Sequence, residues 1–249
     1  MYNCDSIFMM GKTHKVCQDY AYADKDYLII SDGCSASLNS DIGARIITQC
    51  AKVTLKELEE KNYEQFGYTV ITKARMISES LKLNKECLDA TLIVVFKDSN
   101  DKIRVFMYGD GTIINLSDKL EQSEVLSVKF ISGAPYYLSY WDDIQRKKAY
   151  KKEFDQELLL NHDAYYYNYD LDFTFDTDAL MISSDGISSF YTLPENIRVS
   201  ELDITEEISN FKTMKGEFLK RRVLKALQNY SIKNIYPVDD VAFACFVEK

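Results

Sequence analysis

Three apolar segments of this chain each end at an Asp-Gly pair, and this repeated junction is the feature that most limits how the chain can fold. The junctions lie at residues 28–33, 105–111 and 180–186. A fourth is inverted, with Asp239-Asp240 directly before the apolar residues 241–247. One such pair alone indicates a turn, because Gly tolerates positive φ and Asp bonds its own backbone. If the strands belong to two packed sheets, however, their ends bring four carboxylates together. These are Asp32, Asp110, Asp185 and Asp239.

Such a cluster of carboxylates predicts a divalent metal site. Like charges that lie close together repel one another unless a cation neutralises them. Oxygen ligands without nearby His or Cys suit hard cations such as Mg²⁺ and Mn²⁺, and the acid-rich loop typical of Ca²⁺ sites is absent from the sequence. Two such ions a few ångströms apart favour phosphoryl chemistry. The only histidines are His14 and His162, so a Ser-His-Asp triad or a polyhistidine site has few residues to draw on.

Composition narrows the class of protein further. The 249 residues are 46% hydrophobic and 28% charged, which is typical of a globular protein. Lys and Arg number 30 against 39 Asp and Glu, a net charge of −9 that argues against a nucleic-acid partner. The first residues lack the features of a secretory signal and no apolar run approaches membrane-spanning length, so we expect a cytoplasmic protein with no membrane partner. The six cysteines show no CxxC spacing, and we expect free thiols with neither disulfides nor a zinc cluster.

Periodicity predicts an α+β fold. Strands are expected where short β-branched and aromatic runs recur, at residues 6–10, 27–31, 90–96, 103–108, 112–115, 126–131, 179–183 and 241–247. Amphipathic helices are expected at residues 41–59, with Ser40 as N-cap, and at residues 68–83 and 218–230. Because long helices alternate with groups of strands rather than with single strands, the pattern favours layers with mainly antiparallel sheets.

The chain contains no composition break that would divide it. Three prolines, nine glycines and the absence of a low-complexity linker predict a single domain over residues 1–249. Residues 133–175 are the irregular part, with a basic run at 146–152 and tyrosines at 165–169. We predict that they form a β-rich excursion over the core, whose basic and aromatic residues are either a solvated packing surface or a substrate-docking surface.

Six short motifs in order along the chain resemble those of the metal-dependent serine/threonine protein phosphatases of type 2C, especially their compact bacterial catalytic domains. They span the chain almost from end to end, at residues 11–19, 31–35 with 39–45, 89–92, 109–111, 184–186 and 239–241. The resemblance implies a four-layer α-β-β-α sandwich with two packed sheets and a binuclear Mg²⁺ or Mn²⁺ centre at one end. It also implies hydrolysis of phosphoserine or phosphothreonine on proteins, by attack of a metal-bridging water, in partnership with a protein kinase.

The resemblance also implies site residues. Asp32, Asp185 and Asp239 would be the catalytic metal ligands, with Asp32 bridging the ions and Gly33 lending its carbonyl. Asp19 would hold water molecules that are themselves ligands of the metal ions. Asp110, with Asp185, would hold a looser third ion.

Three residues depart from the family pattern. His14 stands where many relatives have an Arg for the phosphate, and it either binds phosphate or is structural. Gln18 replaces a common Glu, and Cys34 stands where animal members have a His. These departures motivate an alternative, a catalytically weak relative that acts as a regulatory or phosphoprotein-binding module. A β-rich protein whose Asp-Gly pairs are simply turns is a second alternative.

Overall fold

The structure of the chain is a computed structural model that describes residues 2–97, 103–116, 124–130, 133–153, 171–173 and 179–248. Within these residues the helices are α1 (Ser40–Glu57), α2 (Tyr63–Ser80), α3 (Ile144–Glu153), α4 (Glu201–Ser209) and α5 (Phe218–Ile232). The strands are β1 (Tyr2–Met9), β2 (Asp19–Asp24), β3 (Tyr27–Asp32), β4 (Leu92–Lys97), β5 (Ile103–Tyr108), β6 (Gly111–Leu116), β7 (Glu124–Val128), β8 (Leu171–Phe173), β9 (Ala179–Ser183), β10 (Phe190–Thr192), β11 (Ile197–Arg198), β12 (Ile235–Pro237) and β13 (Val241–Glu248). Short 3-10 helices occupy Lys85–Leu88, Leu138–Tyr140 and Asp185–Ser188.

The strands form two five-stranded antiparallel sheets and one small sheet. The first sheet has the order β1-β13-β9-β6-β7 and the second the order β2-β3-β4-β5-β8. The small sheet, β11-β10-β12, is also antiparallel. The Asp-Gly junctions lie at the end of β3, between β5 and β6 and after β9, and Asp239-Asp240 directly precedes β13.

Three hydrophobic clusters define the layers. Between the sheets, Ile30 and Ile93 of the second sheet pack with Ile182 and Phe246 of the first. Helices α1 and α2 cover the outer face of the second sheet, and α4 and α5 cover the outer face of the first. The predicted α+β class and α-β-β-α sandwich are therefore confirmed. Among the described residues, no helix combines the length and the apolar character that crossing a bilayer would require.

The helix starts differ from the sequence prediction for identifiable reasons. The N-cap of α1 is Asn39, whose backbone is left-handed at φ 60°, and the hydroxyl of Ser40 instead accepts a hydrogen bond from Gln18. Helix α2 begins five residues before the predicted start, because the side chain of Asn62 accepts hydrogen bonds from the backbone of Glu64 and Gln65.

Residues 133–175 contain more helix than the predicted β-rich excursion. The basic run lies on α3, and β8 is the one strand among the described residues of this region. Residues 154–170 and 174–178, including the tyrosines at 165–169, lie outside the described part of the chain. The helix was missed because its sequence has almost no apolar periodicity: among its residues Tyr150 alone is buried, and its hydroxyl donates to the carbonyl of Ala134.

A carboxylate at the start of α4 ties this helix to the edge of the first sheet. Glu201 accepts hydrogen bonds from the hydroxyls of Thr112 and Ser127, and one of its oxygens lies 2.8 Å from the Lys129 ammonium. Burial alone would raise the pKa of Glu201, but Lys129 and the hydroxyls outweigh it, and the pKa is lowered. The ionised form therefore stabilises the fold above the ordinary Glu pKa, and this contribution is lost as the pH falls through the lower, folded-state pKa.

We predict that Glu201→Gln lowers the free energy of unfolding at pH 7 by about 1 kcal/mol, because Lys129 is half exposed and its attraction is screened by solvent. Urea denaturation of both proteins at pH 7 and at pH 3.5 measures this, and the difference between them should shrink at the lower pH. A difference that is equal at both pH values would contradict the role of the ionised carboxylate.

Candidate metal centre

Two carboxylates face each other across neighbouring strands at one end of the second sheet. Asp19, the first residue of β2, is the register partner of Asp32, the last residue of β3. The backbone of Asp32 is held by Thr91, whose hydroxyl lies 3.2 Å from the Asp32 amide and whose amide donates to the Asp32 carbonyl at 2.8 Å. Gly33 then pairs with Ala90 in an isolated bridge. The 89–92 motif thus fixes the position of the Asp32-Gly33 turn.

A hydrogen bond across the two sheets holds Asp19. The hydroxyl of Ser184, which follows β9, donates to Asp19 Oδ2 at 2.6 Å and accepts from the amide of Ala242 at 3.0 Å. Asp19 is 1% exposed, and its other oxygen, Oδ1, has no hydrogen-bond partner when both aspartates are ionised, because the neighbouring Asp32 carboxyl can donate to Asp19 only in its protonated form. A fully buried carboxylate oxygen without a partner indicates a position that a cation or its water ligands would satisfy.

Asp110 lies between β5 and β6 in a turn that requires glycine on both sides. Gly109 has φ +100° and Gly111 has φ +142°, which L side chains rarely adopt. A Cβ on Gly111 would also lie 2.5 Å from Ile93 Cδ1 and 2.9 Å from the carbonyl oxygen of Ser183. The turn buries Asp110, which is 8% exposed, at the same end of the sheets as Asp32.

The two aspartates before β13 have different positions. Asp240 is buried and accepts hydrogen bonds from the backbone amides of Gly11 and Gln18, each at 2.7 Å. The side chain of Asp239 is half exposed and faces the cavity. Asp240 was not among the predicted site residues, although its position beside Asp239 could have indicated it.

His14 lies between these two aspartates. Its Nε2 is 3.3 Å from Asp239 Oδ1 and its Nδ1 is 3.0 Å from Asp240 Oδ2. Burial lowers the pKa of His14, but the hydrogen bond and charge of Asp240 and the charge of Asp239 outweigh it, and the pKa is raised. Because both nitrogens face carboxylates, this arrangement favours an orienting role for His14 over a direct phosphate contact.

The predicted residues meet at one cavity of about 410 Å³. It is lined by His14, Asp32, Gly33, Asp110, Asp185 and Asp239, while Asp19 lies behind it. Sequence reasoning missed the opposite wall, which Tyr137 and Tyr140 of residues 133–153 contribute. None of the described residues that line the cavity is Lys or Arg.

The mutual repulsion of these carboxylates favours the binding of a cation. Burial raises the pKa of Asp19 to about 7, although the hydrogen bond from Ser184 opposes this. Burial and repulsion from Asp185 raise the pKa of Asp110 to about 7. Burial and the charges of Asp19 and Asp185 also raise the pKa of Asp32 well above its usual value. A divalent cation would remove this penalty, so the all-oxygen donor set and the unpartnered Asp19 oxygen both fit Mg²⁺ or Mn²⁺.

The described part of the chain contains no group of three His, Cys, Asp or Glu side chains that could hold an ion by themselves. Mg²⁺ is commonly bound by one or two carboxylates and keeps several waters. The carboxylates and the Gly33 carbonyl at the cavity are therefore consistent with Mg²⁺ sites in which water supplies the remaining ligands.

Two further side chains organise the cavity wall. Gln18 donates from Nε2 to the hydroxyl of Ser40 at 2.8 Å, and its Nε2 lies 3.4 Å from the carbonyl oxygen of Cys34. Gln18 stands where the family commonly has a Glu. In this chain its side-chain amide links the Asp32-Gly33 loop to the start of α1. A Glu here could not donate either bond when ionised.

Asp89 connects three segments around the cavity. It accepts hydrogen bonds from Ser37 at 3.0 Å, from Ser139 at 2.7 Å and from Arg146 at 2.6 Å. The guanidinium of Arg146 also lies over the ring of Tyr140, 4.4 Å from its centroid. Asp89 therefore holds the aromatic wall against the loop that follows Gly33.

Comparison with known proteins agrees with the motifs. A family model described as protein phosphatase 2C matches residues 11–130, a range that includes Asp19, Asp32 and Asp110. Asp185 and Asp239 lie beyond that range and are brought to the site by the fold. No curated protein sequence matches this chain.

Solved structures match the chain over nearly its whole length. The PPM Ser-Thr phosphatase MsPP from Mycobacterium smegmatis, in complex with cacodylate, is 15% identical at a TM-score of 0.60, covering 99% of this chain and 98% of that one. The serine/threonine phosphatase Stp1 from Staphylococcus aureus is 11% identical at 0.56, covering 100% and 96%. The catalytic domain of PstP in complex with 2 manganese ions is 14% identical at 0.55, covering 99% of each chain.

At these identities the structural matches show a shared fold. Together with the family model they confirm the resemblance drawn from the motifs: residues 11–130 match the protein phosphatase 2C family model, and the chain shares the fold of the PPM Ser-Thr phosphatases.

We predict that Asp89→Asn lowers the free energy of unfolding by about 2 kcal/mol and raises amide hydrogen exchange over residues 137–146, because Arg146 loses its buried charged partner. Asp142→Asn is the matched control. It removes an ion pair with Arg75 in which the Asp side chain is 33% exposed, and it should cost at most about 1 kcal/mol. Equal costs and unchanged exchange for both variants would contradict the role assigned to Asp89.

Proposed function

We propose that this chain is a metal-dependent phosphatase that hydrolyses phosphoserine or phosphothreonine on proteins. The observation that carries the proposal is the convergence of Asp32, Asp110, Asp185 and Asp239 on one cavity, with the buried Asp19 behind them. The names of the structural relatives support it, since they describe serine/threonine phosphatases and, for PstP, a complex with 2 manganese ions.

Each carboxylate has a proposed place in the metal centre. Asp32, the carbonyl of Gly33, Asp185 and Asp239 would hold the tightly bound ions. Asp19 would orient water ligands through Oδ1, since Ser184 already engages its other oxygen. Asp110, with Asp185, would hold a looser third ion. When bound, Mg²⁺ or Mn²⁺ supplies an activated water and neutralises charge on the phosphoryl oxygens.

The residues around the metal centre keep the reacting groups in position. The bonds from Thr91 hold the Asp32 backbone, and Asp240 holds the amides of Gly11 and Gln18. With both nitrogens facing carboxylates, His14 orients Asp239 toward the cavity. Because no Lys or Arg is found among the described lining residues, the charge of the phosphoryl group must be balanced mainly by the ions.

Two alternatives, a different catalytic mechanism and a non-catalytic role, are less well supported. A thiol nucleophile at Cys34 would need a cationic cradle, and residue 40, six positions on, is Ser rather than Arg. A catalytically weak phosphoprotein-binding module is not favoured either, because all five predicted carboxylates are present at the site.

We further propose that the chain acts as one catalytic domain in the cytoplasm, where it removes phosphate groups that a serine/threonine kinase adds.

We predict that hydrolysis of para-nitrophenyl phosphate vanishes with chelator and returns with Mn²⁺ or Mg²⁺. Asp32→Asn and Asp185→Asn should each lower kcat by about 10²-fold or more, because each removes a ligand that orients the nucleophile. Steady-state kinetics with and without EDTA measure this.

Cys34→Ser is the matched control. It changes a side chain at the same cavity while keeping the backbone bond from the Cys34 amide to the carbonyl of Asp89. It should retain most of the Mn²⁺-dependent activity. Full activity in chelator, or a trapped phosphocysteine at Cys34, would refute the proposed mechanism.

A further inference from the structure

An apolar groove of about 440 Å³ lies outside the metal centre, between the end of β1, helix α5 and strand β12. Its walls include Met9 and Met10 at the end of β1, Leu224 and Leu227 on α5, and Tyr236 and Pro237 on β12. Met10 is 51% exposed and Leu224 is 47% exposed. None of the described residues that line the groove is acidic, whereas the metal cavity is lined by five aspartates.

The groove and the metal cavity are built on the same two segments of chain. The amide of Lys12 donates to the carbonyl of Pro237 at 2.8 Å, and the amide of Thr13 donates to that of Val238 at 3.2 Å. Lys12 and Pro237 line the groove, and two residues further along each segment His14 and Asp239 line the cavity. Two residues span at most about 7 Å, so a bound peptide could occupy both places at once.

Basic side chains lie in and beside the groove. The ammonium of Lys12 lies 4.8 Å from the centroid of the Tyr236 ring at the groove edge. Helix α5 has four basic residues and no acidic one, and two of the exposed ones, Arg221 and Lys225, lie three positions before and one position after Leu224. The positive charge of this helix contrasts with the net charge of −9 of the whole chain. An apolar groove with a basic rim is complementary to a peptide that combines apolar and acidic side chains.

We propose that this groove docks the phosphoprotein substrate, through an apolar and acidic segment a few residues from the phosphorylated residue. This inference rests on the proposed function, since it places the phosphorylated residue at the metal cavity. It gives the enzyme a selectivity that the phosphoryl group alone cannot supply: a substrate with Leu and Glu beside the phosphothreonine contacts both the groove and the metal centre.

The test uses the full chain and two fluorescein-labelled peptides. One carries Leu and Glu three to five residues to either side of a central threonine, and the other carries Ser at those positions. Unphosphorylated peptides report on the groove by fluorescence anisotropy, and phosphothreonine forms report on turnover. We expect the Leu/Glu peptide to bind at least tenfold more tightly than the Ser peptide, and its phosphorylated form to have the lower KM.

Two variants alter the groove and a third is the control. Leu224→Asp and Lys12→Glu should each weaken binding of the Leu/Glu peptide about tenfold and raise the KM of its phosphorylated form, while kcat for para-nitrophenyl phosphate is unchanged. Met76→Asp places the same charge at a Met that is 67% exposed on α2, and it should change none of these values.

Equal affinity of the wild type for both peptides, or unchanged binding in both groove variants, would overturn the proposal. So would light scattering that detects a dimer dissociated by Leu224→Asp, because the groove would then be covered by a second copy. Failure of the proposed function looks different: the wild type with Mn²⁺ would then hydrolyse neither para-nitrophenyl phosphate nor the phosphopeptides, whatever the anisotropy measurements show.

Discussion

Repulsion among buried carboxylates at one end of two packed sheets is the constraint on which the rest of this structure depends. Asp19, Asp32 and Asp110 are each held where burial raises the carboxyl pKa, and Asp185 adds to the repulsion. A fold keeps such a cluster ionised at neutral pH most readily when each carboxylate is fixed by other contacts and a cation offsets the charge. The Ser184 hydroxyl, the hydroxyl and amide of Thr91 and the glycines around Asp110 provide that fixation here.

The two sheets matter because they bring together residues that are far apart in the chain. The hydrogen bond from Ser184 to Asp19 joins residues 165 positions apart, and the bonds from Gly11 and Gln18 to Asp240 join residues more than 220 apart. The two motifs at the N-terminal and C-terminal ends of the chain therefore complete one site only when the sandwich has formed. Destabilising the packing between the sheets should consequently disrupt the carboxylate cluster as well as the fold.

Much of this arrangement could be predicted because its signals are local. Apolar runs that stop at Asp-Gly indicate where strands end, and they predicted that Asp32, Asp110, Asp185 and Asp239 meet at one site if the strands form two packed sheets. The four-layer sandwich itself was implied by the resemblance of the ordered motifs to a known family. Other features depend on tertiary contacts. Strand β2 has alternating tyrosines but few apolar residues, α3 has one buried residue, and Asp89 acts through partners 50 to 57 positions away. No window of sequence contains those partners together.

The central claim is that the carboxylate cluster binds divalent cations, and anomalous X-ray diffraction at the manganese edge tests it most directly. In crystals of the full chain grown with Mn²⁺, we expect strong anomalous peaks about 2.0–2.1 Å from carboxylate oxygens of Asp32 and of Asp185 or Asp239. A well-ordered cluster with no anomalous peak among these side chains would contradict it.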